Sequence, residues 1–236
     1  MDLSQYIKAN EEPLIKALCD IIRIKSVEES PKPGMPFGEG LARALEFTLK
    51  LAESFGLRTR NLDNYVGWAE WGEGEELIGI PVHLDVVPEG RGWTYPPYGG
   101  EIHDGKIYGR GSTDDKGPAM AALFALKTLK DAGIKFSRRV RVIFGTNEES
   151  GMADMEYYKK HDEAPDMGFS PDADYPIING EKGIMTFKLA MDFQQIQGGI
   201  TIAEFQGGHR PNMVPDYAEA KLKNCPVGIE DRLLAL

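Results

Sequence analysis

Apolar positions along the chain switch between two periods. From Leu14 to Ile24 they recur at helical spacing, and Pro13 is well placed for the first turn of that helix. A Pro- and Gly-rich loop, Pro31 to Gly40, leads to a second amphipathic pattern from Leu41 to Phe55, which Gly56 ends as a C-terminal cap. Tyr65–Trp71 and Leu77–His83 read as strands, and Gly72, Glu73 and Gly74 between them predict a hairpin. After a loop rich in Gly, Pro and aromatics (Pro88–Gly100), Lys106–Tyr108 is a short strand and Gly109–Lys116 a turn. Gly117 to Ala132 is an Ala- and Leu-rich helix closed by Gly133, Arg138–Gly145 a buried strand, and Met152–Lys160 a polar helix. Strand, helix, strand in that order predicts an α/β fold, a sheet with helices on its faces. A domain boundary is expected near Gly180–Gly183, where a new pattern of strands begins.

Composition narrows the class. The chain has 236 residues, enough for a real core, with 42% hydrophobic and 27% charged positions. Apolar runs such as Leu77–Val87 and Val140–Phe144 have the length of buried strands and exclude a disordered chain. No stretch approaches the ~20 apolar residues of a membrane helix, so no membrane partner is expected. With 27 basic against 37 acidic residues the net charge is −10, a surface that repels nucleic acid. The densest basic group, Arg138, Arg139 and Arg141, merely flanks an apolar run. Cys19 and Cys225 form no metal or redox spacing, and the start MDLSQYIKANEEP is polar and acidic, so a reducing cytoplasm is the expected compartment.

Acids and one histidine gather where predicted strands end. His83 and Asp85 follow an apolar run, and strand alternation puts them on one side, where the carboxylate can fix the imidazole while its other nitrogen faces a metal. Asp114 and Asp115 lie in Gly109-Arg110-Gly111-Ser112-Thr113-Asp114-Asp115-Lys116-Gly117, just before a helix. Either acid also suits a helix cap there. Glu148 and Glu149 follow the buried strand in Gly145-Thr146-Asn147-Glu148-Glu149-Ser150-Gly151, at the end where open α/β sheets bind ligands. Asp172 and Asp174 stand in a turn, Phe169-Ser170-Pro171-Asp172-Ala173-Asp174-Tyr175-Pro176. One imidazole and several carboxylates form the mixed N/O donor set of hydrolytic metals such as zinc, manganese or cobalt.

In their order along the chain, His83-Leu84-Asp85-Val86-Val87-Pro88, the Gly109–Pro118 run, Thr146–Gly151 and Ser170-Pro171-Asp172 resemble the motifs of the co-catalytic zinc peptidases and deacylases that include carnosinase, aminoacylase and succinyl-diaminopimelate desuccinylase. The Phe169–Pro176 run and Arg210-Pro211-Asn212-Met213-Val214-Pro215-Asp216 resemble a bacterial dipeptidase branch in particular. The resemblance implies a mixed central sheet flanked by helices in residues 1–182 and the first strands of an α+β lid in 183–236. It implies two zinc ions per complete site. His83 would hold the first with Asp172, Asp114 would bridge both, and Glu149 would hold the second. Asp85 would orient His83, Glu148 would be the general base, and Asp115 a neighbour and not a ligand. The implied reaction is hydrolysis of a small peptide. An N-acyl-amino-acid deacylase and a non-catalytic metal-binding remnant are the alternatives.

The family takes a further histidine for the second ion from a segment after the lid, and the motifs here do not offer it. The chain thus reads as an N-terminal piece of such an enzyme. His209 stands in a Gly/Arg/Pro setting unlike a ligand's, while His103 and His161 read as surface residues.

Overall fold

The computed structural model describes residues 2–174, 176–180, 182–183, 185–191, 199–209 and 213–229. Arg210, Pro211, Asn212 and Tyr175 of the expected dipeptidase-branch runs, and residues 230–236, lie outside them.

Two helices open the chain: α1 (Ser4–Ile22) and α2 (Glu39–Ser54). The expected helix start at Leu14 is corrected, since α1 begins ten residues earlier with Pro13 inside it. A tertiary contact outweighs the proline: the buried Asn10 side chain donates to Thr128 Oγ1 at 3.0 Å. Strands β1 (Arg58–Leu62), β2 (Val66–Trp71) and β3 (Leu77–His83) follow, then the small pair β4 (Glu101–His103) and β5 (Lys106–Tyr108). Helix α3 (Lys116–Asp131), β6 (Arg139–Gly145), a 3-10 turn Glu148–Ser150, α4 (Ala153–His161) and the two-residue β7 (Met167–Gly168) complete the first compact unit, which ends at Ile178. The second unit contains an antiparallel pair, β8 (Thr201–Gly207) and β9 (Ala218–Lys223).

The main sheet has the order β1-β2-β6-β3-β7. It is mixed: β1, β2 and β6 run antiparallel in turn, whereas β3 lies parallel to both β6 and β7. The expected hairpin between β2 and β3 is therefore not formed, because β6 sits between them. The reason lies in β6 itself. Its Arg141–Gly145 stretch is buried throughout, so it needs a neighbour on each edge. The Gly72–Glu76 loop instead wraps the start of β6. A Cβ on Gly72, whose φ is +103°, would stand 2.3 Å from the Arg138 carbonyl oxygen, so only glycine permits this approach.

Alternation along β6 builds cores on both faces. Val142 and Phe144 join Ile21, Ile22, Leu45, Leu49, Met120, Leu123 and Phe124 from α1, α2 and α3. Ile143 points the other way, to Val66, Leu62 and Tyr158 of α4. Arg141 shares that second face and is neutralised there. Its Nε donates to Glu70 at 2.8 Å and its Nη1 to the Tyr158 hydroxyl at 2.7 Å. The basic group seen in sequence is thus committed to pairs within the chain, Arg138 with Glu76, Arg139 with Glu163 and Arg141 with Glu70. Among the described residues no helix is long and apolar enough to cross a membrane.

Phe144 is fully buried on the central strand, and its truncation tests this packing. Phe144→Ala is expected to cost about 3–5 kcal/mol in urea unfolding. A loss below about 1 kcal/mol would contradict the placement of β6 at the centre of the sheet.

Candidate metal centre

Three parallel strands, β6, β3 and β7, end on the same edge of the sheet, and the expected site residues leave from that edge. His83 is the last residue of β3 and pairs in register with Gly145, the last of β6. Glu148 and Glu149 sit in the turn after β6, and Asp172 lies shortly after β7. Asp114 arrives from the loop before α3.

His83 Nε2 lies 3.0 Å from Asp114 Oδ1, 3.3 Å from Asp172 Oδ2 and 3.9 Å from Glu148 Oε2. Ligand atoms of His83, Asp114 and Asp172 all fall within 4.8 Å of one another. The 3.0 Å contact is not aligned as a hydrogen bond: among the described residues the buried His83 Nε2 has no hydrogen-bond partner. Asp85 Oδ1 and Asp115 Oδ1 are likewise buried without one. The ligand atoms of His83, Asp114 and Asp172, which converge without a hydrogen bond to His83 Nε2, fit a cation between them.

The other nitrogen is fixed from behind. His83 Nδ1 stands 3.0 Å from the Asp85 carbonyl oxygen and 3.4 Å from its carboxylate Oδ1, so the main chain of Asp85 makes the shorter contact. The Asp85 side chain reaches elsewhere too, its Oδ2 accepting the Glu149 N–H at 2.9 Å. That bond ties the turn after β6 to the turn after β3.

Electrostatics reflect the crowding. Burial opposes a charge on His83, but Asp114, Asp85 and Asp115 outweigh it and push the imidazole up to about 12. Burial raises Glu149 to about 7, with the Asp114 charge adding to the rise. Burial likewise takes Asp115 to about 7, against the pull of the His83 N–H and ring. Glu148 and Asp172 are raised by burial in the same sense, while the His83 contact holds Asp114 below the usual carboxylate range. The cluster is short of positive charge.

Several residues support the cluster through contacts that the sequence does not show. Asp115 accepts the His83 backbone N–H on Oδ2 at 2.9 Å and is fully buried. Ser26 donates from Oγ to the Leu84 carbonyl at 2.7 Å, and its own carbonyl accepts the Val86 N–H at 3.1 Å, so it grips the chain on both sides of Asp85. Lys116 is also fully buried, its Nζ donating to the carbonyls of Ile21 at 3.1 Å and Ile24 at 2.8 Å. This anchors the Asp114 loop to the end of α1. Ser170 Oγ donates to the Pro81 carbonyl at 3.1 Å and holds the Asp172 turn against β3.

The remaining histidines have other partners. His103 Nε2 is 2.8 Å from Glu101 and its ring stacks on Tyr95, while His161 Nδ1 is 2.8 Å from the Tyr157 carbonyl. His209, in the second unit, lies 3.3 Å from Asp216 Oδ1.

Residues 79–223 match the model of Peptidase family M20/M25/M40. The chain is 49% identical over 217 residues to the putative dipeptidase YtjP of Bacillus subtilis (strain 168), covering 90% of this chain and 47% of that protein. It is 39% identical over 227 residues to the Beta-Ala-Xaa dipeptidase of Lactobacillus delbrueckii subsp. lactis, with 94% and 48% covered. The chain thus spans about half the length of the curated relatives it matches. In three dimensions it resembles human carnosine dipeptidase 1 with a TM-score of 0.62 at 25% identity, over 73% of this chain and 41% of that one. The family match over residues 79–223, together with the 49% identity to a relative over 90% of this chain, places the chain in Peptidase family M20/M25/M40.

Proposed function

We propose that this chain carries the metal-binding part of a dipeptidase that cleaves small peptides with two zinc ions. The observation that carries the reading is the convergence of His83 Nε2, Asp114 and Asp172 on one point at the sheet edge. This N/O set suits zinc, and manganese or cobalt would also be accepted. His83, Asp114 and Asp172 would hold the first ion, and Asp114 and Glu149 the second. When bound, the ions supply Lewis acidity, polarising the scissile carbonyl and bringing the pKa of water down to about 7.

The chain's own residues do the rest. Glu148, half-buried beside His83, is the general base: burial and the surrounding acids hold its carboxylate above the usual range, which suits it to take a proton from water. It then delivers that proton to the departing amine. Asp85 and Asp115 hold His83 in place through its ring and its N–H. The dipeptidase names of the curated relatives favour a peptide over an N-acyl amino acid as substrate. We assign residues 1–182 to the metal-binding part and 183–236 to the beginning of a lid, a division supported by the change of compact unit after Ile178. Cys19 and Cys225 form no metal or redox spacing, which favours a reducing, cytoplasmic setting.

Two substitutions test these roles in the full-length, zinc-loaded protein. Glu148→Gln is expected to retain the ions and to lose about 10²–10⁴-fold in the rate of dipeptide hydrolysis. Near wild-type turnover would refute the base assignment. Cleavage of N-acyl amino acids alone by the wild type would refute the substrate class, and tight zinc without any turnover would favour a metal-binding remnant. Asp114→Ala should release metal on dialysis, because a bridging carboxylate serves both ions; metal analysis showing full retention would contradict that role.

A further inference from the structure

The turn that bears Glu148 and Glu149 is a single 3-10 turn, and it brings Glu148 Oε2 to 3.9 Å from His83 Nε2. What fixes it comes from the first turn of α4. Asp154 is 1% exposed, and its Oδ2 accepts two successive backbone N–H groups, from Thr146 at 2.6 Å and Asn147 at 2.9 Å. Its Oδ1 accepts the Met155 N–H at 2.7 Å. The turn answers in kind. Asn147 accepts the Ala153 N–H on its side-chain oxygen at 3.1 Å and the Met152 N–H on its carbonyl at 2.8 Å. Thr146 Oγ1 adds a bond to the Tyr65 carbonyl at 2.6 Å.

Space for this carboxylate has been made at the sheet edge. A Cβ on Gly145 would stand 2.6 Å from Asp154 Oδ2, so the last residue of β6 must be glycine for the carboxylate to enter. Gly145 is also the register partner of His83, and its carbonyl accepts the Leu84 N–H at 2.9 Å. Asp154 therefore reaches in behind the point where both ligand-bearing turns leave the sheet. Charge-assisted bonds to a buried carboxylate are among the stronger ones available to a loop.

We infer that Asp154 is a positioning residue for the Glu148–Glu149 pair, holding the exit of β6 so that the base and the second-ion ligand face the His83 cluster. The inference rests on the proposed roles of those two glutamates. Asp154 touches neither substrate nor metal; it acts through the Thr146 and Asn147 amides.

The test compares Asp154→Ala and Asp154→Asn in the full-length, zinc-loaded protein. It follows amide hydrogen exchange at Glu149, whose N–H is bound by Asp85, together with first-ion affinity and dipeptide kinetics. In Asp154→Ala, Glu149 exchange should accelerate at least about tenfold while protection along β3 and β6 is retained. Affinity for the first zinc ion should stay within about threefold, because His83, Asp114 and Asp172 are carried by other elements, whereas kcat should fall about 10–100-fold at nearly unchanged KM. Asp154→Asn keeps one oxygen for the two turn amides and should recover part of both losses.

Wild-type exchange and kcat in Asp154→Ala would overturn the inference, as would an Asn variant that recovers nothing. A uniform loss of protection and first-ion affinity would assign Asp154 to general stability and overturn it as well. A wild-type protein with no dipeptide hydrolysis would refute the proposed function instead, leaving exchange and its recovery by Asn to decide the role of Asp154.

Discussion

Repulsion among carboxylates is the constraint around which the first unit is organised. Asp85, Asp114, Asp115, Glu148, Glu149 and Asp172 all act electrostatically on or near one buried imidazole. Like charges about 4 Å apart repel by roughly 1 kcal/mol in water and about 4 kcal/mol near a protein surface. Such a group disperses unless the chain holds it or positive charge compensates it. Here the chain holds it, through hydrogen bonds between buried side chains and the backbone. Asp115 binds the His83 N–H, Asp85 binds the Glu149 N–H, and Ser26 grips Leu84 and Val86. The compensating charge is the task of a cation, and His83 Nε2 is aimed accordingly.

The sheet explains why these groups meet. Parallel strands end on a common edge, so turns after β6, β3 and β7 are neighbours although they are far apart in sequence. The buried β6 sets this order, since its apolar faces demand helices on both sides and strands on both edges. Lys116 extends the frame to the end of α1, which lies early in the chain. Burying an ammonium is costly unless it is hydrogen-bonded, and the two carbonyls it meets answer that need.

Much of this was legible in the sequence because it follows from periodicity and residue chemistry. The expected strands Leu77–His83 and Arg138–Gly145 became β3 and β6, and the helical spacing from Leu41 onward became α2. Of the acid-bearing turns, the residues His83, Asp114 and Asp172 came together. Missed features depend on partners distant in sequence. Arg58–Leu62 is too polar to announce a strand, and it forms one by pairing with β2. The glycines between β2 and β3 signal a turn, but not that β6 will occupy the gap. Ser26 and Lys116 act on main-chain carbonyls, which any sequence supplies, so their partners could not be read even though Lys116 stands in the quoted Asp114 run. The Asp85 carbonyl is likewise invisible to reasoning from side chains.

The central claim is that His83, Asp114 and Asp172 converge on a metal ion. Anomalous diffraction at the zinc absorption edge, on crystals grown with zinc, tests it most directly. The expected result is a zinc peak about 2.0–2.2 Å from His83 Nε2 and from one oxygen each of Asp114 and Asp172. Zinc bound elsewhere, with His83 Nε2 left outside its coordination, would contradict the claim.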